Sequence, residues 1–294
     1  MKTALALLLI VLVPTLAFAQ KSKTTKKPQT WKTEELKLDD GVMLRADVYR
    51  LPQSAKTDVP PAPVIVAFHM AGGSRAEYRK LAPMFAELGC HVIAIDLRHG
   101  GEGEKFDRQT RKAFGTPNGT WQSAMKKGFK TGRKESYPDM VAGVDWAKEL
   151  FPGSPVAVFG SSFSASLVLV YGAEHPHKID TVFAFSPAAN YIQGMDVLKR
   201  IKPTTLPTYI TCSGIKNEHT AAKKLAKVID KKLLTLVLPE GNAAHGSPTL
   251  LIANEATRRE QWKPIRDEVH RLKAVAQALH EKAQEKAQEK SKKD

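Results

Sequence analysis

The chain has 294 residues, of which 42% are hydrophobic and 26% are charged. These proportions are typical of a globular protein, and they exclude a collagen-like chain, a fully disordered chain and a multi-span membrane protein. The net charge of +15 favours acidic partners such as nucleic acid, anionic lipid or an acidic polymer. Two cysteines, Cys90 and Cys212, are too few for a disulfide scaffold or a four-cysteine zinc site.

Residues 1–19 have the features of a secretory signal peptide. A positive start at Lys2 precedes an apolar run at 4–13, and an A-x-A cleavage pattern at 17–19 stands ahead of Gln20. The run is short for a membrane span, which favours cleavage over an uncleaved anchor. We therefore expect a secreted or periplasmic protein without stable membrane insertion.

Two polar segments flank the predicted folded region at 31–280. Residues 20–30 are basic and lack an apolar period, which predicts a disordered leader. Residues 281–294 repeat Glu, Lys and Ala every four positions, which predicts a charged helical or disordered tail.

The folded region alternates strand and helix patterns. Apolar alternation predicts a half-buried strand at 42–48, and a helical apolar stripe at 75–89 ends at Gly89. Short continuous apolar runs predict buried strands at 63–68, 92–95, 155–159, 179–185, 208–212 and 233–238. This series predicts an α/β fold with a mostly parallel sheet that is covered on both faces.

Residues 97–136 interrupt the series and predict an irregular basic insertion, because they hold many glycines and no long apolar period. Its basic side chains favour an anionic substrate or polymer, with Trp121 as a candidate apolar substrate contact; a solvated loop is the alternative. The basic residues are Lys105, Arg108, Arg111, Lys112, Lys126, Lys127, Lys130, Arg133 and Lys134.

A strand-to-helix turn with small residues follows the strand at 155–159. The turn is Gly160-Ser161-Ser162-Phe163-Ser164, close to the G-x-S-x-G pattern that exposes a nucleophilic serine on a sharp turn. The register makes Ser162 the candidate nucleophile, with Ser164 in place of the last glycine. A serine-rich helix cap is the alternative interpretation.

A glycine-containing turn, His69 to Ser74, follows the strand at 63–68. Such a turn allows backbone N–H groups to face an attacked carbonyl, and the expected donors are the N–H groups of Met70 and Phe163. His69 is a candidate substrate contact that could also orient the turn. An ordinary strand-to-helix turn is the alternative.

Two later strands end in loops that carry candidate acid and base residues. His245 follows the last strand, where a general base must project over the carboxyl edge of the sheet. Asn217 and Glu218 follow the strand before it. The chain order nucleophile, acid, histidine is that of the α/β-hydrolases.

The sequence resembles the α/β-hydrolase superfamily, in particular its dienelactone-hydrolase and prolyl-oligopeptidase-like branches. The matching stretches are HMAGGSRAEYR, VIAIDLRHGGE, GSSFS, SGIKNE and AAHGS, across roughly 31–280. The resemblance implies an α/β-hydrolase fold with about eight strands, with Ser162 as nucleophile and His245 as base. The usual family aspartate position holds Asn217, so Glu218 is the preferred acid and Asn217 the alternative orienting residue.

The strand order of this family also bears on the two cysteines. It separates Cys90 and Cys212 by about four strands, or roughly 19 Å at normal strand spacing. A disulfide requires Cα atoms within about 7 Å, so two free and mostly buried thiols are expected.

The expected function is an exported serine hydrolase that cleaves a carboxylic ester or related acyl compound through an acyl-enzyme. The substrate would be a small-molecule or polymer ester, and the basic insertion favours an anionic one. This chemistry requires no metal and no organic cofactor. The alternatives are a peptidase or amidase with the same triad, and a non-catalytic binder of an anionic envelope polymer. Nucleic acid is not an expected partner, since the chain carries an export signal and no nucleic-acid-binding signature.

Overall fold

A computed structural model of the protein describes residues 31–52, 59–100, 116–190, 192, 194–202 and 204–291. The predicted signal peptide, the leader at 20–30 and the basic side chains from Lys105 to Lys112 lie outside these residues. Across the described ranges, no helix is both long enough and apolar enough to cross a bilayer.

One sheet of eight strands organises the described chain, in the order β1-β2-β4-β3-β5-β6-β7-β8. The strands are β1 (Lys32–Lys37), β2 (Met43–Tyr49), β3 (Val64–Phe68), β4 (His91–Ile95), β5 (Val156–Ser161), β6 (Thr181–Phe185), β7 (Thr208–Thr211) and β8 (Leu234–Val237). Strand β2 is antiparallel to both β1 and β4, and the pairs from β4 to β8 are parallel. The predicted fold class is therefore confirmed.

Strand β1 is an element that the hydrophobic pattern did not predict. Its sequence, KTEELK, is mostly polar, and its side chains are exposed or half-buried. An edge strand with one neighbour does not need the continuous apolar pattern of a central strand. Pairing with β2 therefore extends the sheet by a strand that carries little hydrophobic signal.

A short 3₁₀ helix and eight α-helices connect or flank these strands in the described chain. The 3₁₀ helix spans Arg75–Tyr78. The α-helices are α1 (Ala82–Glu87), α2 (Gly119–Lys126), α3 (Ser136–Leu150), α4 (Phe163–Glu174), α5 (Val197–Arg200), α6 (Lys216–Ala226), α7 (Thr249–Ile252) and α8 (Glu255–Ser291). Helix α8 continues through position 280, so no break in the backbone separates the predicted domain from the start of its tail.

The single helix predicted at 75–89 is two elements. The 3₁₀ helix ends at Tyr78, and α1 begins at Ala82 with Pro83 in its first turn. Proline has no N–H to donate to the carbonyl four residues earlier, so a continuous helix would be broken at that point. The predicted end is present, since Gly89 has a positive φ of 79° after α1.

The expectation that 97–136 is irregular throughout is wrong for its second half. Helix α2 begins after Asn118, whose side chain accepts a hydrogen bond from the Trp121 N–H. The Ser123 and Thr120 hydroxyls accept the Met43 and Arg45 N–H groups of β2. Polar side chains thus hold a helix that the apolar pattern did not reveal.

Strand register brings the loop ends together at one edge of the sheet. Phe68, the last residue of β3, pairs with Gly160 of β5, and Ser161 pairs with Phe185 at the end of β6. Phe185 in turn pairs with Thr211, the last residue of β7. The loops after these parallel strands therefore share the carboxyl edge, where ligands bind in sheets of this kind.

The two cysteines are free and buried, as predicted. Cys90 precedes β4 and Cys212 follows β7, and the sheet order sets these strands four positions apart. Burial raises the pKa of each thiol to about 12, with the Glu218 charge adding to the effect at Cys212.

We expect both thiols to be unreactive in the native protein. At about pH 8 a thiol with so high a pKa stays protonated, and the thiolate is the reactive form. Ellman's reagent should therefore label the native protein very slowly and should find two thiols once guanidinium chloride unfolds it. Fast labelling of either cysteine before unfolding would contradict this burial.

Candidate active site

Ser162 occupies a strained turn between β5 and α4. Its φ is 60° and its ψ is −119°, an unusual conformation for a residue with a side chain. The Ser162 N–H donates to the carbonyl of Phe185 at 2.8 Å, which ties the turn to the end of β6. A Cβ on Gly160 would lie 2.5 Å from the Ser164 carbonyl oxygen, so only glycine permits this close approach.

Ser164 stands where the G-x-S-x-G pattern has its last glycine, and its hydroxyl stabilises the turn. The hydroxyl accepts the Ser161 N–H at 2.8 Å and donates to the Phe68 carbonyl at 2.7 Å. Because this side chain is fully buried, it satisfies two backbone groups that would otherwise have no partner. The departure from the pattern thus joins the turn to β3.

The turn after β5, the first turn of α6 and the loop after β8 bring together Ser162, Glu218 and His245. His245 Nε2 lies 2.8 Å from Ser162 Oγ, and His245 Nδ1 lies 2.8 Å from Glu218 Oε1. An ionised carboxylate only accepts, so the consistent tautomer donates from Nδ1 to Glu218 and accepts the serine hydroxyl at Nε2. Ser162 is 5% exposed, whereas His245 is more open to solvent.

Glu218 is held in its charged form. Burial alone would raise its pKa, but hydrogen bonds from His245, from the Ser213 N–H and from Ser186 outweigh burial and lower the pKa to about 2. The Ser213 N–H donates to Oε2 at 2.9 Å. Glu218 is therefore a carboxylate at neutral pH and can stabilise a positive charge on the imidazole.

Among the described residues, Asn217 makes no hydrogen bond to His245, whereas Glu218 does. Asn217 lines a cavity of about 260 Å³ beside Ser162 and His245. The other walls of this cavity are Ser186, Pro187, Ala188, Glu218 and Ala221. The part of the cavity that the described residues line is mostly apolar.

Ser186 is a residue at this site that the sequence analysis did not single out. Its φ is 56°, and its hydroxyl accepts the Gly246 N–H at 2.9 Å and bonds Glu218. It thereby links Glu218, in the first turn of α6, to the loop that carries His245. A polar residue directly after the buried strand β6 was the available signal.

The prediction that the Met70 N–H is an oxyanion donor is wrong for this conformation. That N–H donates to Glu77 Oε2 at 2.8 Å, so it is already engaged. The Gly73 N–H donates to the Met70 carbonyl and closes a tight turn, in which the Ala71 N–H has no acceptor among the described residues. The Phe163 N–H likewise has no acceptor within the described chain, which leaves Phe163 and Ala71 as candidate donors.

His69 and Trp121 are not among the described residues that line this cavity. His69 is 0% exposed, donates from Nδ1 to the Met70 carbonyl and accepts the Leu97 N–H at Nε2. Burial lowers the pKa of this imidazole and keeps it neutral, so it orients the turn. Trp121 is 7% exposed and packs against Gly100.

Comparisons with known proteins show the family of the fold. A family model of the α/β hydrolase fold matches residues 63–225, and the chain belongs to that family. No curated protein matches the sequence at a significant level.

Solved structures show the same fold at low sequence identity. A dienelactone hydrolase from Anabaena variabilis has 17% identity and a TM-score of 0.55, covering 86% of this chain and 96% of that chain. An esterase from Pyrococcus furiosus has 18% identity and a TM-score of 0.55, covering 81% and 91%. An acylaminoacyl peptidase from Pyrococcus horikoshii has 12% identity and a TM-score of 0.55, covering 82% of this chain and 42% of that chain.

We expect Ser164→Ala to destabilise the protein by about 1–3 kcal/mol, because it leaves a buried N–H and a buried carbonyl without their partner. Urea unfolding followed by circular dichroism measures this difference. Ser154→Ala, in a half-buried turn outside the site, is the matched control and should change stability by less than about 0.5 kcal/mol. Equal stabilities for the two variants would show that the Ser164 hydroxyl does not hold the turn.

Proposed function

We propose that this protein is an exported serine hydrolase that cleaves a carboxylic ester or related acyl compound through an acyl-enzyme. The observation that carries the proposal is the hydrogen-bonded chain Ser162–His245–Glu218, with 2.8 Å at both steps. A serine hydroxyl that donates to an imidazole, itself oriented by a carboxylate, is the arrangement that activates a serine nucleophile.

In the proposed reaction, Ser162 Oγ attacks the acyl carbonyl while His245 Nε2 takes its proton. Glu218 holds the Nδ1 proton and stabilises the positive imidazolium that forms. The N–H groups of Phe163 and Ala71 are the proposed donors to the negative oxygen of the tetrahedral intermediate. His245 then protonates the leaving alkoxide, and water attacks the acyl-enzyme in a second cycle that releases the acid and restores Ser162.

The nucleophile is tested by covalent labelling. A fluorophosphonate probe should label the wild type, and Ser162→Ala should abolish labelling and lower ester hydrolysis by about 10⁴-fold or more, because the attacking oxygen is lost. The measurement is in-gel fluorescence together with turnover of a short-chain aryl ester. Ser154→Ala is the matched serine control and should behave as the wild type.

Full activity of Ser162→Ala would refute the proposed mechanism. A wild type that neither labels nor hydrolyses any ester would favour the non-catalytic binder instead. Hydrolysis of an aryl amide in preference to the matched aryl ester would assign the same triad to an amidase.

The proposal includes an anionic substrate, because the chain carries an exposed basic segment. Lys126, Lys127 and Lys130 are exposed at and after the end of α2. The carbonyl of Thr131 in the same segment lies 2.8 Å from His99 Nδ1, and the His99 ring centroid lies 5.0 Å from that of Phe163. The His99 side chain thus connects the backbone of this segment to the ring of Phe163, the residue after Ser162.

Neutralising this segment should weaken capture of an anionic ester. The variant combines glutamine at Lys126, Lys127, Lys130, Arg133 and Lys134. We expect KM for the anionic ester to rise and kcat to stay nearly unchanged, because charge at this distance acts on binding and not on the reacting bond. Steady-state kinetics with an anionic and a neutral ester of equal size measure the effect.

Salt provides the control for this charge effect. Exposed charges are screened over about 8–10 Å at ordinary ionic strength, so salt should raise the wild-type KM for the anionic ester only. Equal KM values for both esters at low salt, in both proteins, would leave the segment as a solvated surface.

Export is proposed from the sequence features of residues 1–19, which lie outside the described part of the chain. The mature protein would then be secreted or periplasmic. N-terminal sequencing of the exported protein tests this, with Gln20 as the expected first residue.

A further inference from the structure

We infer that Glu77 is a positioning residue for the proposed ester hydrolysis, holding the turn after β3, the residue ahead of Ser162 and the loop of His245 in one arrangement. The inference rests on the proposed function for its chemistry. Its basis is the placement of a single buried carboxylate among three site loops.

Glu77 lies in the 3₁₀ helix and is 6% exposed. Its Oε2 accepts the Met70 N–H at 2.8 Å, and its Oε1 accepts the Ser247 hydroxyl at 2.5 Å. The Ser161 hydroxyl also bonds this carboxylate, while Ser161 Oγ accepts the Ser247 N–H at 2.9 Å. Both carboxylate oxygens of Glu77 therefore accept hydrogen bonds inside the protein.

Each of these partners of the Glu77 carboxylate is one or two residues from a group of the proposed site. Ser161 immediately precedes Ser162, and Ser247 is two residues after His245. Met70 is followed by Ala71, the proposed oxyanion donor. A small displacement of Glu77 would thus be transmitted to the nucleophile, the base and the donor together.

The loops around Glu77 also interlock sterically. A Cβ on Gly246 would lie 2.5 Å from Ser161 Oγ and 3.1 Å from Met70 Cε. The histidine loop is therefore in van der Waals contact with the residues that Glu77 holds. Close packing of this kind passes a shift from one loop to the next.

The contact with Met70 determines which N–H of the turn remains available. Because the Met70 N–H points to Glu77, it cannot point to a substrate carbonyl at the same time. The Ala71 N–H, without an acceptor among the described residues, is left for that role. Glu77 thus orients the peptide groups of the turn.

Anchoring of the 3₁₀ helix does not account for Glu77. Arg75 already anchors that helix through its Nε to Asp47 at 2.8 Å and its Nη1 to Asp96 at 2.5 Å. Burial raises the pKa of Glu77, so a carboxyl at this place has a free-energy cost. Its hydrogen bonds to the three site loops offset that cost.

The test compares Glu77→Gln and Ser247→Ala with the control Asp47→Asn. Glutamine keeps the size of the side chain but replaces one acceptor with a donor, and Ser247→Ala removes one hydroxyl. Asp47 is a buried carboxylate that holds the same 3₁₀ helix and contacts none of the three site loops. All three variants are assayed as full-length protein by steady-state ester hydrolysis, fluorophosphonate labelling rate and urea unfolding.

We expect kcat to fall about 10- to 100-fold in Glu77→Gln and Ser247→Ala, with KM within about twofold, because a displacement near 1 Å at reacting groups can cost about 100-fold. The labelling rate should fall in parallel. Asp47→Asn should lose stability and keep kcat within about twofold. The variant that combines Glu77→Gln and Ser247→Ala should have a kcat only slightly below that of either single variant, since both substitutions disrupt the contact between Glu77 and Ser247.

A kcat in Glu77→Gln or Ser247→Ala that is no lower than that of Asp47→Asn would overturn the inference. If Glu77→Gln fails to fold, the Ser247→Ala kinetics decide the question alone. The wild type separates this result from the proposed function. A labelled, active wild type with unaffected variants refutes only Glu77, whereas a wild type that does not label at Ser162 refutes the hydrolase.

Discussion

Ser162 adopts a positive φ between a buried strand and a buried helix, and the rest of the site is arranged around that turn. A side chain in this conformation is strained by about 1–3 kcal/mol, so the surroundings must hold it. Gly160 leaves room for the backbone of α4, Ser164 joins the turn to β3, and the Ser162 N–H bonds the end of β6. The strain thus projects one hydroxyl above the sheet edge, where loops from other strands can reach it.

Two glutamates near this hydroxyl lie in opposite environments. Glu218 is partly solvated and bonds the imidazole, so its pKa falls to about 2. Its negative charge is therefore present when the imidazolium of the proposed reaction forms. Glu77 is buried among amide and hydroxyl donors, and burial raises its pKa. When the environments of two carboxyl groups shift their pKa values in opposite directions, the two groups commonly have different roles. Under the proposed function, Glu218 stabilises charge and Glu77 fixes geometry.

The fold and the reacting side chains were readable from local sequence because short runs encode them. A strand is present at each predicted position, although β8 is only half-buried, and the turn at Ser162 follows β5 as its small residues suggested. Strand β1 was missed because polar edge strands carry no hydrophobic period. The engaged Met70 N–H was missed because it depends on Glu77 packing back onto the turn. The contact between Glu77 and Ser247 joins positions 170 apart in sequence, and no local pattern signals such a pair.

Substrate choice in this fold depends on loops, because the sheet supplies the same catalytic edge to many chemistries. In this chain the apolar cavity lies on the β6 and β7 side of Ser162, against Pro187, Ala188 and Ala221. The basic segment contacts His99 after β4, and the His99 ring lies 5.0 Å from the buried ring of Phe163. Under the proposed function, an apolar group of the substrate would occupy the cavity, and the basic segment would favour a substrate that is anionic. The dienelactone hydrolase and the esterase share the fold at 17% and 18% identity, and at this level the likeness shows the fold alone. Substrate choice must therefore depend on the residues of the present chain.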